Sequence, residues 1–252
     1  MITDPWFYAA AIPAVFLFGM SKGGFGGGLG TLAVPLIALV ISPVQAAGIL
    51  LPILCLMDLF SVWAYRNLWI REELAVLVPA SLAGIALGTL LFGYMSAATI
   101  RLLVGVVAIA FTAHYLWSWR SGNLSRLRDY PRPAGVAAGA IAGFTSFIAH
   151  AGGPPVSMYL LRRPLDRTDF VATTVLFFAV VNYTKLLPYA WLGQLSGGNL
   201  MTSLVLAPLA PVGVLTGVYL HRRVSDRFFF GVVYVLLGAV GIKLVWDGIT
   251  DL

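Results

Sequence analysis

Apolar residues in this chain run in long unbroken blocks, and the charged residues gather in the short segments between them. Six blocks reach the roughly 20 residues that a helix needs to cross a bilayer: 44–65, 74–95, 98–119, 169–191, 199–220 and 228–247. Two further apolar stretches are interrupted. Residues 6–41 break at Lys22-Gly23-Gly24-Phe25-Gly26-Gly27-Gly28, and residues 134–161 break at His150-Ala151-Gly152-Gly153-Pro154-Pro155. The pieces beside each break hold roughly 6–16 residues, at most about 24 Å of helix, short of a hydrocarbon core about 30 Å thick. They read as half-helices meeting at a glycine-rich break.

The loop arginines choose between two threadings. If each broken stretch crosses once, the two sides carry six and seven loop arginines, which is no bias. If each goes in and returns, the loops 66–73, 120–133, 162–168 and 221–227 share one side. That side then holds Arg66, Arg71, Arg120, Arg126, Arg128, Arg132, Arg162, Arg163, Arg167, Arg222, Arg223 and Arg227, with only Arg101 and the terminal Lys243 opposite. Such asymmetry marks the cytoplasmic side. The expectation is therefore six full helices and two broken hairpins, with both termini periplasmic; whether the broken pieces are re-entrant or short spans stays open. The N-terminus carries Asp4 and lacks the basic start of a secretory signal, so the first apolar run is expected in the mature chain.

The chain also repeats itself. Pro79, Gly84, Gly88 and Ser96 recur 129 residues later as Pro208, Gly213, Gly217 and Ser225. Asp58 and Tyr65 are matched 124 residues later by Asn182 and Tyr189, as is Gly19 by Gly143. The expected fold is thus an all-α polytopic membrane protein of two repeats, 1–122 and 134–252, joined by a basic cytoplasmic linker at 123–133. Each repeat is a broken glycine-rich helical hairpin followed by three transmembrane helices. Three full crossings per repeat invert the second relative to the first, the arrangement of secondary transporters with a midplane site.

Composition narrows the function. Only 10% of residues are charged and 60% are hydrophobic, against about 25% charged in a soluble domain. A soluble or disordered chain is excluded. The net charge of +6 follows from the topological arginines, so no nucleic acid is expected. The lone Cys55 excludes a disulfide framework, and three scattered histidines make a poor metal site. No GxSxG or HExxH motif accompanies the serines and histidines. Neither a cofactor nor an enzymatic activity is expected.

The candidate chemistry lies at the breaks and on two helix faces. Lys22, Gly23, Gly24, Gly26, Gly27 and Gly28 offer bare backbone amides and a buried cation to an anion; close helix packing and a snorkelling lysine are the alternatives. His150, Gly152, Gly153 and Ser157 form the second candidate, with Thr145 and Ser146 nearby. Pro154 suits the first turn of a returning half-helix. His150 is either a proton-coupling group or a histidine satisfied by a backbone carbonyl. Asn182, Lys185 and Tyr189 share one helix face, and Asp58, Ser61 and Tyr65 share the equivalent face of the other repeat. Lys185 would attract an anion or snorkel. Asp58 would carry a coupling proton or pair with Lys22 or Lys185. Tyr65 and Tyr189 are candidates for gating.

These residues carry a resemblance. Gly24-Phe25-Gly26-Gly27-Gly28-Leu29-Gly30-Thr31-Leu32-Ala33-Val34-Pro35-Leu36 resembles the first glycine-rich motif of the TauE/SafE sulfite exporter family, and His150-Ala151-Gly152-Gly153-Pro154-Pro155 resembles its second, with His150-Ala151 where the family often has more glycine. The resemblance extends over essentially the whole chain. It implies a bacterial inner-membrane transporter linked to sulfite, thiosulfate, sulfoacetate or another small organosulfur anion. With the inverted repeat, the expectation is a secondary transporter that exports such an anion by alternating access, with protons as the candidate coupling ion through Asp58 or His150. Its partners would be that anion and the lipid bilayer, with a homodimer left open. A passive anion or solute channel, and a transporter of another substrate such as a metal ion, are the competing readings.

Overall fold

The computed structural model describes residues 1–25, 28–120, 131–220, 223 and 226–251. Among them every regular element is helical: α1 (Pro5–Gly24), a 3-10 segment (Gly28–Leu32), α2 (Ala33–Ile37), α3 (Pro43–Ala64), α4 (Arg71–Phe92), α5 (Ala97–Arg120), α6 (Arg132–Ala149), α7 (Gly153–Leu160), α8 (Arg167–Trp191), α9 (Gly197–Leu206), α10 (Leu209–Leu220) and α11 (Asp226–Thr250). The helix starts are written locally. Asp4, Ser42, Asp166 and Ser196 each cap a helix by accepting a backbone N–H two or three residues on, and prolines open α1 and α3.

Helices α3, α4, α5 and α8 are each long and apolar enough to cross a membrane, and α9 with α10 makes a fifth candidate crossing. Helix α11 occupies the sixth expected block. The protein is a multi-pass membrane protein. Large apolar side chains such as Leu59, Leu90, Leu187 and Leu204 face outward from these helices, as a lipid-facing surface requires. Most of the linker 123–133, with Arg126 and Arg128, lies outside the described residues, as does His221-Arg222.

Two expectations about the helices are corrected. The limbs before the breaks are not short: α1 has 20 residues and α6 has 18, about 30 and 27 Å of helix. Only the returning limbs are short, with five residues in α2 and eight in α7. Gly23 and Gly24 remain helical, and the first break begins at Phe25. Their lack of a side chain serves packing: a Cβ at Gly23 would lie 2.1 Å from the Val214 carbonyl oxygen, and one at Gly24 2.2 Å from that of Gly217. The second correction concerns 199–220, which bends by 44° between α9 and α10. Pro208 and Pro211 remove two i→i−4 donors within one turn. The chain compensates with tighter bonds, Ala207 N–H to the Leu204 carbonyl and Ala210 N–H to that of Ala207.

Glycine contacts also fix helix directions. Along α1 and α10, Phe16 and Gly19 meet Gly213 while Met20 and Gly24 meet Gly217, so the two run parallel. Helices α4 and α6 are parallel as well, with Leu77 at Gly139, Ser81 at Gly143 and Phe147 at Gly88. Helices α5 and α11 are antiparallel, with Leu102 at Gly248, Gly105 at Gly241 and Thr112 at Gly238. Helices α3 and α8 are antiparallel too: Tyr183 Oη donates to the Cys55 carbonyl, and Ile70 N–H, just before α4, reaches Thr173 Oγ1. Gly217 tests the role of these contacts. Gly217→Ala places a Cβ 2.2 Å from the Met20 carbonyl oxygen, whereas Gly93→Ala meets nothing within 4 Å. The first is expected to cost about 1–3 kcal/mol and the second close to nothing, compared by thermal unfolding in detergent.

Candidate functional site

Helices α3 and α8 form the centre of the molecule. Their apolar windows are 67% and 61% buried, against 28% for α4 and α5. Their polar faces therefore point into protein rather than lipid. Asp58, Ser61, Tyr65, Asn182, Lys185 and Tyr189 are all buried. The two faces meet where Asn182 Nδ2 donates to Asp58 Oδ2 at 2.7 Å. The other carboxylate oxygen of Asp58 takes an ion pair and hydrogen bond from Lys22 Nζ, at the end of α1.

Lys185 is wholly buried and has no carboxylate partner among the described residues. Its Nζ contacts the Ser146 carbonyl at 3.0 Å, Ser146 Oγ at 2.9 Å and His150 Nδ1 at 2.7 Å. The far nitrogen of the ring, His150 Nε2, lies 3.0 Å from the Ala47 carbonyl. A carbonyl only accepts, so Nε2 carries the proton and Nδ1 presents its lone pair to the lysine. Both lysines thus sit at the C-terminal end of a broken helix, Lys22 on α1 itself and Lys185 against α6, where the helix dipole favours a cation.

The tyrosines close the remaining carbonyls. Tyr65 Oη donates to the Gly23 carbonyl at 2.7 Å, and Tyr189 Oη to the Phe147 carbonyl at 2.6 Å. Each acceptor is among the last four carbonyls of its helix, which have no donor within the helix. The two bonds are related by the same shift of 124 residues as the tyrosines themselves. That shift also maps Lys22 onto Ser146 and Ser61 onto Lys185. Lysine and serine have exchanged places between the halves. Ser61 Oγ is buried and has no hydrogen-bond partner among the described residues.

Between these groups lies a cavity of about 10 Å³, lined by Phe18, Lys22, Leu54, Ser146, His150, Gly153, Phe178 and Asn182. It has room for a single water. A four-atom oxyanion enters only if the surrounding helices separate.

Of the residues expected from sequence, Lys22, His150, Gly153 and Asn182 line this cavity, and Asp58 and Lys185 bond directly to them. Tyr65 and Tyr189 hold the helix ends. Gly23 and Gly24 face α10 instead. Gly152 caps α7, with Ala142 and Phe178 where a side chain would be. Ser157 lies on the half-exposed side of α7 and does not line the cavity. Gly28 opens the 3-10 segment, and Gly26 and Gly27 lie outside the described residues. The returning helix α7 starts Gly153-Pro154-Pro155, so two of its first amides have no N–H to offer an anion. Sequence reasoning undervalued Ser146, although its correspondence with Lys22 under the 124-residue shift was available. The apolar wall of Phe18, Leu54 and Phe178 carried no signal at all.

His150 ends α6 with φ 50° and ψ 30°, a left-handed conformation that costs a side chain about 1 kcal/mol relative to glycine. Its two ring bonds are what the molecule gains there. His150→Ala loses the bonds and keeps the strain, while His150→Gly loses both. His150→Ala is expected to be the less stable variant by about 1 kcal/mol, as read from their unfolding midpoints.

Among the described residues, no three His, Cys, Asp or Glu side chains converge as a metal site. No curated protein and no solved structure matches the chain. The family described as Sulfite exporter TauE/SafE matches residues 11–244. With that match running through both broken hairpins and the buried lysine centre between them, the chain belongs to the TauE/SafE sulfite exporter family.

Proposed function

We propose that the protein is a secondary transporter that exports a small sulfur-containing anion (sulfite, thiosulfate, sulfoacetate or a related organosulfonate) across a bacterial inner membrane by alternating access. The observation that carries this reading is the pair of buried lysines beside one central cavity, Lys22 and Lys185, with Asp58 as the single buried carboxylate there among the described residues. A charge held inside a membrane protein is costly and marks a substrate path or a pair; Lys22 has its pair, and Lys185 has no carboxylate partner among the described residues. The anion would lie against Lys185, His150, Ser146 and Asn182. The smallness of the cavity favours an occluded resting state over an open channel.

The helix directions support an inverted repeat. Two helices of 134–252 run opposite to their counterparts in 1–122, α8 to α3 and α11 to α5, and an inverted repeat would set α6 against α1 and α10 against α4 in the same way. The helix ends flanking the four arginine-rich loops then share one face. The positive-inside rule makes that face cytoplasmic and both termini periplasmic. A potential negative inside drives an anion outward by about 2.3 kcal/mol per charge per 100 mV.

A thermal-shift panel on the detergent-purified chain tests the proposal, with sulfite, thiosulfate, sulfoacetate, taurine, sulfate, acetate and nickel salts at equal ionic strength. A ligand that binds only the folded state raises the midpoint by mass action. The expected result is a rise with one or more sulfur oxyanions that is absent in Lys185→Met. A rise with nickel alone, or identical rises in the variant, would refute the assignment.

A further inference from the structure

The buried centre has a countable charge. Lys22 and Asp58 cancel. Lys185 adds one positive charge: its Nζ is surrounded by three acceptors, the Ser146 carbonyl, Ser146 Oγ and His150 Nδ1, matching the three N–H bonds of an ammonium. His150 adds none, because Nε2 donates to Ala47 and Nδ1 accepts from Lys185. Among the described residues, the remaining buried carboxylate is Glu73, which is bound to Arg163 at 2.6 Å near the start of α4, away from the cavity.

We infer that the cavity is built for an anion of one negative charge, and that Asp58 is the residue that sets this valence. This rests on the transport reading and narrows it to singly charged oxyanions such as hydrogen sulfite or an alkanesulfonate. A monoanion beside Lys185 brings the centre to neutrality. A dianion of the same size leaves one negative charge uncompensated in a buried region shut off from bulk water, where such an excess is far more costly than in solution. The pseudo-equivalent of Asp58 is the uncharged Asn182, so the repeat itself supplies the neutral variant of this position. Asp58→Asn keeps the size of the side chain, leaves Lys22 uncompensated and raises the centre by one charge. Asn182→Asp lowers it by one.

The test compares methanesulfonate with thiosulfate, tetrahedral anions of similar size that differ by one charge. Binding to the full-length protein in detergent is measured by midpoint shift and calorimetry at fixed ionic strength. The wild type is expected to prefer methanesulfonate by about tenfold or more, and Asp58→Asn to move that ratio toward thiosulfate by about tenfold or more. Asn182→Asp is expected to weaken both anions. A wild type that prefers the dianion overturns the inference. So does a preference that stays within about twofold in Asp58→Asn while both anions still bind. If Asp58→Asn does not fold, the wild-type ratio and Asn182→Asp decide the matter by the same criteria. Failure of every anion to bind the folded wild type overturns the transport reading itself, a result distinct from an unchanged ratio.

Discussion

Lys22→Met is expected to destabilise the folded protein by about 3–5 kcal/mol, because it leaves the Asp58 carboxylate buried without its cation. Asp58 is 1% exposed and Lys22 4%, so bulk water cannot take over the solvation of either group. Asn182 continues to donate to Asp58 Oδ2, but one neutral hydrogen bond does not replace an ammonium. The double variant Lys22→Met with Asp58→Leu removes both charges and puts apolar volume in their place. Such replacements of buried pairs are often neutral or stabilising. Its unfolding midpoint is therefore expected to recover to near that of the wild type. A single variant as stable as the double would mean that the pair is not buried as described.

Lys185→Met has the second large effect, and its sign on stability differs. Among the described residues no carboxylate depends on Lys185, so its loss strands only the neutral acceptors of Ser146 and His150. Loss of those bonds is offset by the removal of a charge from the interior. The fold is expected to survive, while anion affinity falls by at least about 30-fold, the equivalent of about 2 kcal/mol for a buried charge pair. Affinity and unfolding midpoint, measured on the same preparation, separate the two effects. Parallel losses would place Lys185 in the architecture rather than in anion recognition.

The contrast between these lysines explains what the sequence revealed. A charge inside an apolar block is so costly that its presence is informative, and Lys22, Asp58 and Lys185 stood out for that reason. The i, i+3, i+7 spacing put Asp58 with Ser61 and Tyr65, and Asn182 with Lys185 and Tyr189, on single faces. Both faces turned out to be buried and in mutual contact. The alternatives weighed for Asp58 and His150 also have structural counterparts: Asp58 pairs with Lys22, and His150 bonds a backbone carbonyl.

The glycines were harder to read. A run such as Gly23-Gly24 looks like a break because glycine disfavours helix, but helix packing within a membrane protein reverses that preference by rewarding close approach. Only the positions of Val214 and Gly217 on α10 decide the matter, and they lie about 190 residues away in the chain. The same holds for the prolines. Pro79 and Pro208 are equivalent in the repeat, yet α4 continues through Pro79 while α9 and α10 part at Pro208. The difference is Pro211, which has no partner proline in α4 and removes a second backbone donor within one turn.

Counterflow in proteoliposomes tests the central claim most directly. Vesicles containing the purified protein are loaded with unlabelled sulfite, diluted into trace labelled sulfite, and compared with Lys185→Met at matched protein density. A carrier with a central anion site predicts transient accumulation of label above equilibrium in the wild type and none in the variant. Flux no greater than in protein-free vesicles, or equal accumulation in the Lys185→Met vesicles, would contradict it.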